Sequence, residues 1–232
     1  MFYKEKITSI QKTDRVLEIG PGSTPFHRSD EFLELKYETE LEEQKQFGHT
    51  GKFVTSKKIH YYNGEKFPFD DLEFDYIICS HVLEHVVDIP FFLSEIFRVS
   101  KKGYLEYPNI NYDYLVDIKE HINFIKKEKD TIYWIKKKES PLSVFEDIQE
   151  VFHEMLKKGH LRTLLKTNPE FFFEGFEWEN ELKIKKVETI SEIIPSKIKI
   201  ENFSLTNYIE KEISFIDLGK VMFRKVLAKF KR

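Results

Sequence analysis

Three groups of residues in this chain have types and spacings that chemistry can use. In the first, Glu18-Ile19-Gly20-Pro21-Gly22, two glycines around a proline allow a tight bend whose bare backbone N–H groups a ligand can approach closely, with a carboxylate just before it. The bend is a nucleotide-binding turn in outline; taken alone, it is equally an ordinary turn that ends a strand. In the second, His81, Glu84 and His85 spell H-x-x-E-H. Two histidines at i and i+4 on a helix would face one ion, which makes a zinc-dependent hydrolase a rival function. The third is a pair of histidines, His81 and His121, whose intrinsic pKa suits a general base, with Glu106 and Asp113 in reserve.

The elements that must position these residues follow from the hydrophobic pattern. Val16, Leu17 and Ile19 form a short apolar run suited to a strand buried on both faces and ended by Gly20. Further strands are predicted over residues 32–35, 58–62, 74–80 and 104–107, with a helix from Pro90 to about Ser100 that carries Phe92, Ile96 and Val99 on one side. A short helix is predicted over residues 3–12. Between the first two strands, Pro25 to Asp30 leave about one helical turn where a crossover normally takes a dozen residues or more, so the first helix is clipped. Residues 38–47 read as a solvated helix. Residues 122–125 and 132–135 read as an antiparallel hairpin, and Ser143 with Glu146 as the capping box of a helix through Lys158. The aromatic run Phe171, Phe172, Phe173, Phe176 and Trp178 reads as strand packing more readily than as a cap over an acceptor. Residues 181–205 read as alternating strands that complete the sheet. Residues 220–232 read as a basic terminal helix, solvated or lying on an anionic membrane surface.

The stretch Arg15 to Phe26 resembles motif I of the class I S-adenosylmethionine-dependent methyltransferases, apolar-apolar-Glu-apolar-Gly-x-Gly, with Glu18, Gly20 and Gly22 on the pattern. Pro25 stands where a dinucleotide fold wants its third glycine, which weakens a pyrophosphate reading. Phe74-Asp75 with its apolar run, Leu83-Glu84-His85 and Pro108-Asn109 also resemble the family, so the likeness extends over residues 14–109; Lys102 and Tyr104 depart from it. The resemblance implies S-adenosyl-L-methionine as cofactor, cradled by Glu18, Gly20, Pro21 and Gly22. It implies an acidic residue after the second strand on both ribose hydroxyls, Glu34 first and Glu38 second, since a carboxylate accepts two hydrogen bonds at once. It further implies Asn63, Gly64 and Glu65 beside the adenine, with Asn63 at the usual Asp position, and Ser80 and His81 near the methyl group. His81 and His121 are the implied catalytic residues, Glu84 and His85 support the loop and helix, and no metal is required.

At 232 residues with a net charge of −3, the chain fits one α/β domain and offers no electrostatic footprint for nucleic acid. One cysteine, Cys79, excludes a disulfide framework and a cysteine-cluster metal site, and no apolar run reaches a membrane span, which points to the cytoplasm. The expected fold is Rossmann-like: a seven-stranded, mostly parallel sheet with helices on both faces. Residues 1–109 are expected to bind the donor, 110–180 to recognise the acceptor, and 181–232 to complete the sheet and end in the basic helix. The expected reaction is methyl transfer to an O or N atom of a small molecule or sugar. A non-catalytic protein that keeps the fold is a third class.

Overall fold

A computed structural model describes residues 1–36, 55–140 and 146–194. The helix expected over 38–47, the alternative carboxylate Glu38, the Ser143 cap and the basic C-terminal helix lie outside the described residues.

Four short parallel strands open the sheet: β1 (Val16–Ile19), β2 (Glu31–Leu35), β3 (Lys58–Tyr62) and β4 (Tyr76–Ser80). Helix α1 (Ile89–Val99) connects β4 to β5 (Lys102–Pro108). Its start is fixed by the Asp88 carboxylate, which accepts from the Phe91 N–H, and by Pro90 in the first turn. A last strand, β8 (Phe173–Glu179), lies antiparallel to β5, and the order across this six-stranded sheet is β3-β2-β1-β4-β5-β8.

Both faces of the sheet are covered, as the apolar run Tyr76-Ile77-Ile78-Cys79 of β4 requires. On one face Leu17, Ile19, Leu33, Ile77, Cys79 and Leu105 pack with Phe92, Leu93 and Ile96 of α1. On the other, Val16, Tyr76, Ile78 and Tyr104 pack with Tyr3, Phe26, Val116 and Leu165. The alternation along β4, with Tyr76 and Ile78 facing one way and Ile77 and Cys79 the other, is the period of two of an extended chain.

After β5 come α2 (Ile110–Val116), the hairpin β6 (Asn123–Glu128) and β7 (Thr131–Lys136), and the helices α3 (Glu146–Lys157) and α4 (Arg162–Thr167). The hairpin is antiparallel, as the pattern predicts.

Several expectations change. Among the described residues the main sheet has six strands, not seven. Of the stretch 181–205, residues 195–205 lie outside the described residues, and residues 181–194 do not join the main sheet: β9 (Lys183–Lys186) instead pairs parallel with β7 in a separate three-stranded sheet. The strand that finishes the main sheet is the aromatic run itself, where Phe173 and Trp178 are buried. No helix forms between β1 and β2. The residues that would begin it are held by side chains: the Phe26 N–H donates to Glu18 Oε2 at 2.8 Å, and the Val16 N–H donates to Asp30 Oδ2 at 2.9 Å.

The helix expected over residues 3–12 shrinks to a single 3-10 turn, Lys4–Lys6. Its backbone donors go elsewhere. The N–H groups of Phe2 and Tyr3 donate to the Glu106 carboxylate, and those of Thr8 and Ser9 to Glu177. Charge-assisted bonds of this kind are roughly twice as strong as the neutral amide bonds of a helix, so the segment lies flat along the sheet instead of coiling.

Candidate functional site

In a parallel sheet every strand delivers its carboxyl end to the same edge, and that edge is where open α/β folds bind ligands. The registers Ile19↔Leu33, Leu35↔Tyr62 and Ser80↔Glu106 bring the ends of β1 to β5 to one edge. Gly20, Pro21 and Gly22 follow β1, Glu34 is the penultimate residue of β2, Asn63 to Glu65 leave β3, and Ser80 and His81 end β4. The sheet therefore brings these chain positions to one edge.

The glycine bend is left-handed at both Gly20 (φ +61°) and Gly22 (φ +56°), a conformation that costs an L side chain roughly 1–2 kcal/mol. The Gly20 N–H donates to the Leu33 carbonyl at 2.9 Å, so the bend opens only beyond it. A Cβ on Gly20 would lie 2.6 Å from Cγ2 of Val82, whereas one on Gly22 would meet nothing within 4 Å. The bend is thus closed on the Val82 side and open in front of Gly22.

Glu18 does not face this opening. Its Oε2 accepts from the Phe26 N–H and from the Ser29 hydroxyl at 2.6 Å, and only 4% of the residue is exposed. Burial pushes its pKa up, against the hydrogen bonds from Ser29 and Phe26. Its role is to tie the loop after the bend back onto β1, a correction to its expected place on the ligand. Asn63 is also engaged: its amide donates to Glu65 Oε2 at 3.0 Å, and its carbonyl oxygen accepts from the Glu65 N–H at 3.3 Å. That exposed turn sits beside β2, since a Cβ on Gly64 would touch Leu35.

At the end of β4 the H-x-x-E-H segment is not one helix. His81 has a left-handed backbone (φ +59°), and only Leu83–His85 form a 3-10 turn, so His81 and His85 do not stack one turn apart. The helical zinc motif built from His81, Glu84 and His85 is therefore absent. His81 Nε2 lies 2.9 Å from Glu106 Oε1, and its Nδ1 lies 3.4 Å from Glu84 Oε1. Burial works to lower the His81 pKa, but the hydrogen bond to Glu106 and the nearby Glu84 carboxylate carry it up to about 9. An imidazole with that pKa is charged at neutral pH and cannot accept a proton, which removes His81 as the general base.

Glu106 is equally committed. It accepts from Ser80 Oγ, His81 Nε2, Tyr104 Oη and the N–H groups of Phe2 and Tyr3. Burial opposes its ionisation, yet the His81 hydrogen bond, the His81 charge and Tyr104 hold its pKa down at about 2. It anchors the amino-terminal segment to the crevice and is no reserve base. The sequence carried one signal for this: a glutamate between Leu105 and Tyr107, inside an otherwise apolar central strand.

His121 has a different setting. Its Nδ1 donates to Asp113 Oδ1 at 2.9 Å, and both residues are buried. With Nδ1 directed at a carboxylate, Nε2 is the ring nitrogen that carries the lone pair in the neutral imidazole. Asp113 also receives Lys137 Nζ at 3.5 Å. The His121 ring meets the His85 ring edge-on, with centroids 4.9 Å apart, and His85 Nδ1 in turn donates to the Glu120 carbonyl at 3.0 Å. Burial is the main cause that lowers the His85 pKa.

Residues 17–105 match the family model described as a methyltransferase domain. The match runs from β1 to the middle of β5 of the Rossmann-like sheet described above, and over that span the chain is similar to a methyltransferase domain. Among solved structures, the YcgJ protein of Bacillus subtilis is similar over 41% of this chain and 44% of its own, at 23% identity and a TM-score of 0.30. A S-adenosylmethionine-dependent methyltransferase of Methanosarcina mazei is similar over 52% of this chain and 69% of its own, at 20% identity and a TM-score of 0.33. A Thermotoga maritima methyltransferase, described as a possible histamine N-methyltransferase, is similar over 46% of this chain and 49% of its own, at 22% identity and a TM-score of 0.32. The chain thus spans about half the length of the first and third of these. No curated protein matches it. No helix among the described residues is long and apolar enough to cross a membrane.

Proposed function

We propose that this protein transfers a methyl group from S-adenosyl-L-methionine to an O or N atom of a small molecule or sugar. The observation that carries the reading is the convergence of the open bend at Gly22, the Glu34 carboxylate and the Asn63–Glu65 turn along one edge of the sheet, in chain order and in register. The bend approaches the amino-acid part of the donor, Glu34 takes the ribose hydroxyls, and the Asn63–Glu65 turn borders the adenine.

Bound donor supplies an already activated methyl on a sulfonium, so the protein's task is to align an acceptor in line with it and to exclude water. Orientation of that kind is worth ~7–11 kcal/mol in well-aligned cases. His81 and Glu106 form a fixed ion pair at the mouth and position the amino-terminal residues across it; Phe2 stacks on Phe173 with ring centroids 3.9 Å apart. On the acceptor side, His121 presents the Nε2 lone pair that Asp113 orients.

Calorimetric titration with S-adenosylmethionine and S-adenosylhomocysteine tests the reading, followed by transfer of labelled methyl to a panel of hydroxyl and amine metabolites. Saturable binding of both nucleosides with methyl transfer supports it. Binding without transfer to any acceptor supports a binding protein on the same fold, and absence of binding refutes donor recognition at this edge.

A further inference from the structure

We propose that Glu84, His85 and His121 form a binding site for one divalent transition-metal ion of the zinc or iron(II) type. One ligand atom from each residue lies within 4.8 Å of the others. Glu84 is 1% exposed, and neither carboxylate oxygen makes a hydrogen bond. The ion pair with His81, at 3.4 Å from Oε1, offsets part of its lost solvation, but a buried carboxylate without a hydrogen bond is rare and costly. His85 Nε2 is 4.0 Å from Glu84 Oε1. Ligands around a tetrahedral ion at about 2.0–2.1 Å stand roughly 3.3 Å apart, so closure needs small side-chain rotations and no refolding.

The outer partners are already in place. His85 Nδ1 donates to the Glu120 carbonyl and His121 Nδ1 to Asp113, which makes Nε2 of each neutral ring the atom for an ion. Carbonyl and carboxylate partners of this sort are the usual supports of metal-bound imidazoles. The two ligand-bearing segments are also stapled together: the Ile122 N–H donates to the Glu84 carbonyl at 2.8 Å, and the Asn123 amide donates to the carbonyls of Leu83 and Val86. Two imidazoles and one carboxylate favour zinc, iron, nickel or copper over magnesium or calcium, and they leave a coordination position open. That position takes water or an acceptor oxygen, whose proton the ion makes easier to lose. This last role rests on the methyl-transfer reading and, with the ion bound, replaces the His121 lone pair as the means of taking the acceptor's proton; the binding of the ion does not rest on it.

The test uses the full chain stripped with chelator and titrated with Co²⁺ while visible d–d absorption is recorded, then with Zn²⁺ in competition. One equivalent of Co²⁺, displaced by one of Zn²⁺, is expected, with affinity lowered roughly tenfold to hundredfold in Asp113→Asn and further in His85→Ala and His121→Ala. No saturable absorption from the folded wild type overturns the proposal, as does undiminished affinity in the folded His85→Ala and His121→Ala variants. If the alanine variants do not fold, Asp113→Asn and the wild type decide it. S-adenosylmethionine calorimetry on stripped and loaded protein separates the two readings: donor binding without metal binding sinks only the ion site, and metal binding without donor binding sinks only the transferase.

Discussion

Replacing Gly20 by alanine sets two costs against a measurable contact. The residue would have to hold a left-handed backbone at φ +61°, and its new methyl would lie 2.6 Å from Cγ2 of Val82. The first cost is about 1–2 kcal/mol. The second is an overpacking cost of about 1–3 kcal/mol, because a β-branched valine has little freedom to rotate away. Gly20→Ala is thus expected to lower stability by roughly 2–5 kcal/mol in urea unfolding followed by far-UV circular dichroism. Val82→Ala removes the obstructing methyl and leaves the backbone cost alone, so in that background the same change should cost only ~1–2 kcal/mol. The double-mutant cycle therefore isolates the contact between the glycine bend and the loop after β4. Equal losses in both backgrounds would refute the contact, and a loss below ~0.5 kcal/mol in wild type would refute the left-handed bend itself.

Other outcomes follow from the same physics. Glu34→Ala should weaken S-adenosylmethionine by roughly 10- to 150-fold in calorimetry, the worth of hydrogen bonds to a charged group at ~1.5–3 kcal/mol, and an unchanged affinity would move the ribose elsewhere. Gly103→Ala should destabilise strongly or fail to fold, since its Cβ would lie 2.3 Å from the Ile77 carbonyl oxygen and 2.8 Å from the Trp178 ring; thermal melting within a degree or two of wild type would contradict the β4–β5–β8 packing. Glu177 has a folded-state pKa of about 2: burial raises it, but the Ser9 N–H and hydroxyl, the Tyr76 hydroxyl and Thr8 lower it further. Because this pKa is depressed below the unfolded value of ~4.3, its stabilisation is complete above that value and fades as pH falls toward 2. Glu177→Gln should accordingly flatten the acid limb of the stability curve between about pH 4.5 and 2, and a limb of unchanged slope would exclude Glu177 as a source of acid sensitivity.

The sequence by itself determined the parallel strands and the edge they share. Val16, Leu17 and Ile19 in the first run and Tyr76-Ile77-Ile78-Cys79 in the second put apolar side chains on both faces of their strands, and the glycines after the first run mark where that run must stop. The hairpin at residues 123–136 and the span of α1 were legible for the same reason: periodicity and capping are local properties.

Only the tertiary structure decided where the charged side chains went. Glu18 reads as a ligand carboxylate, but it satisfies the loop that follows it, because a buried carboxylate takes the nearest free backbone and hydroxyl donors. His81 reads as a base or a metal ligand, but Glu106, 25 residues away, makes it a cation. His121 lies 36 residues beyond His85 and enters its cluster through long-range bonds: the Ile122 N–H to the Glu84 carbonyl, the Asn123 amide to the Leu83 and Val86 carbonyls, and His85 Nδ1 to the Glu120 carbonyl. Spacing along a chain reports which residues share a helix face or a strand face. Which carboxylate reaches which histidine across two loops depends on distances that no local pattern carries.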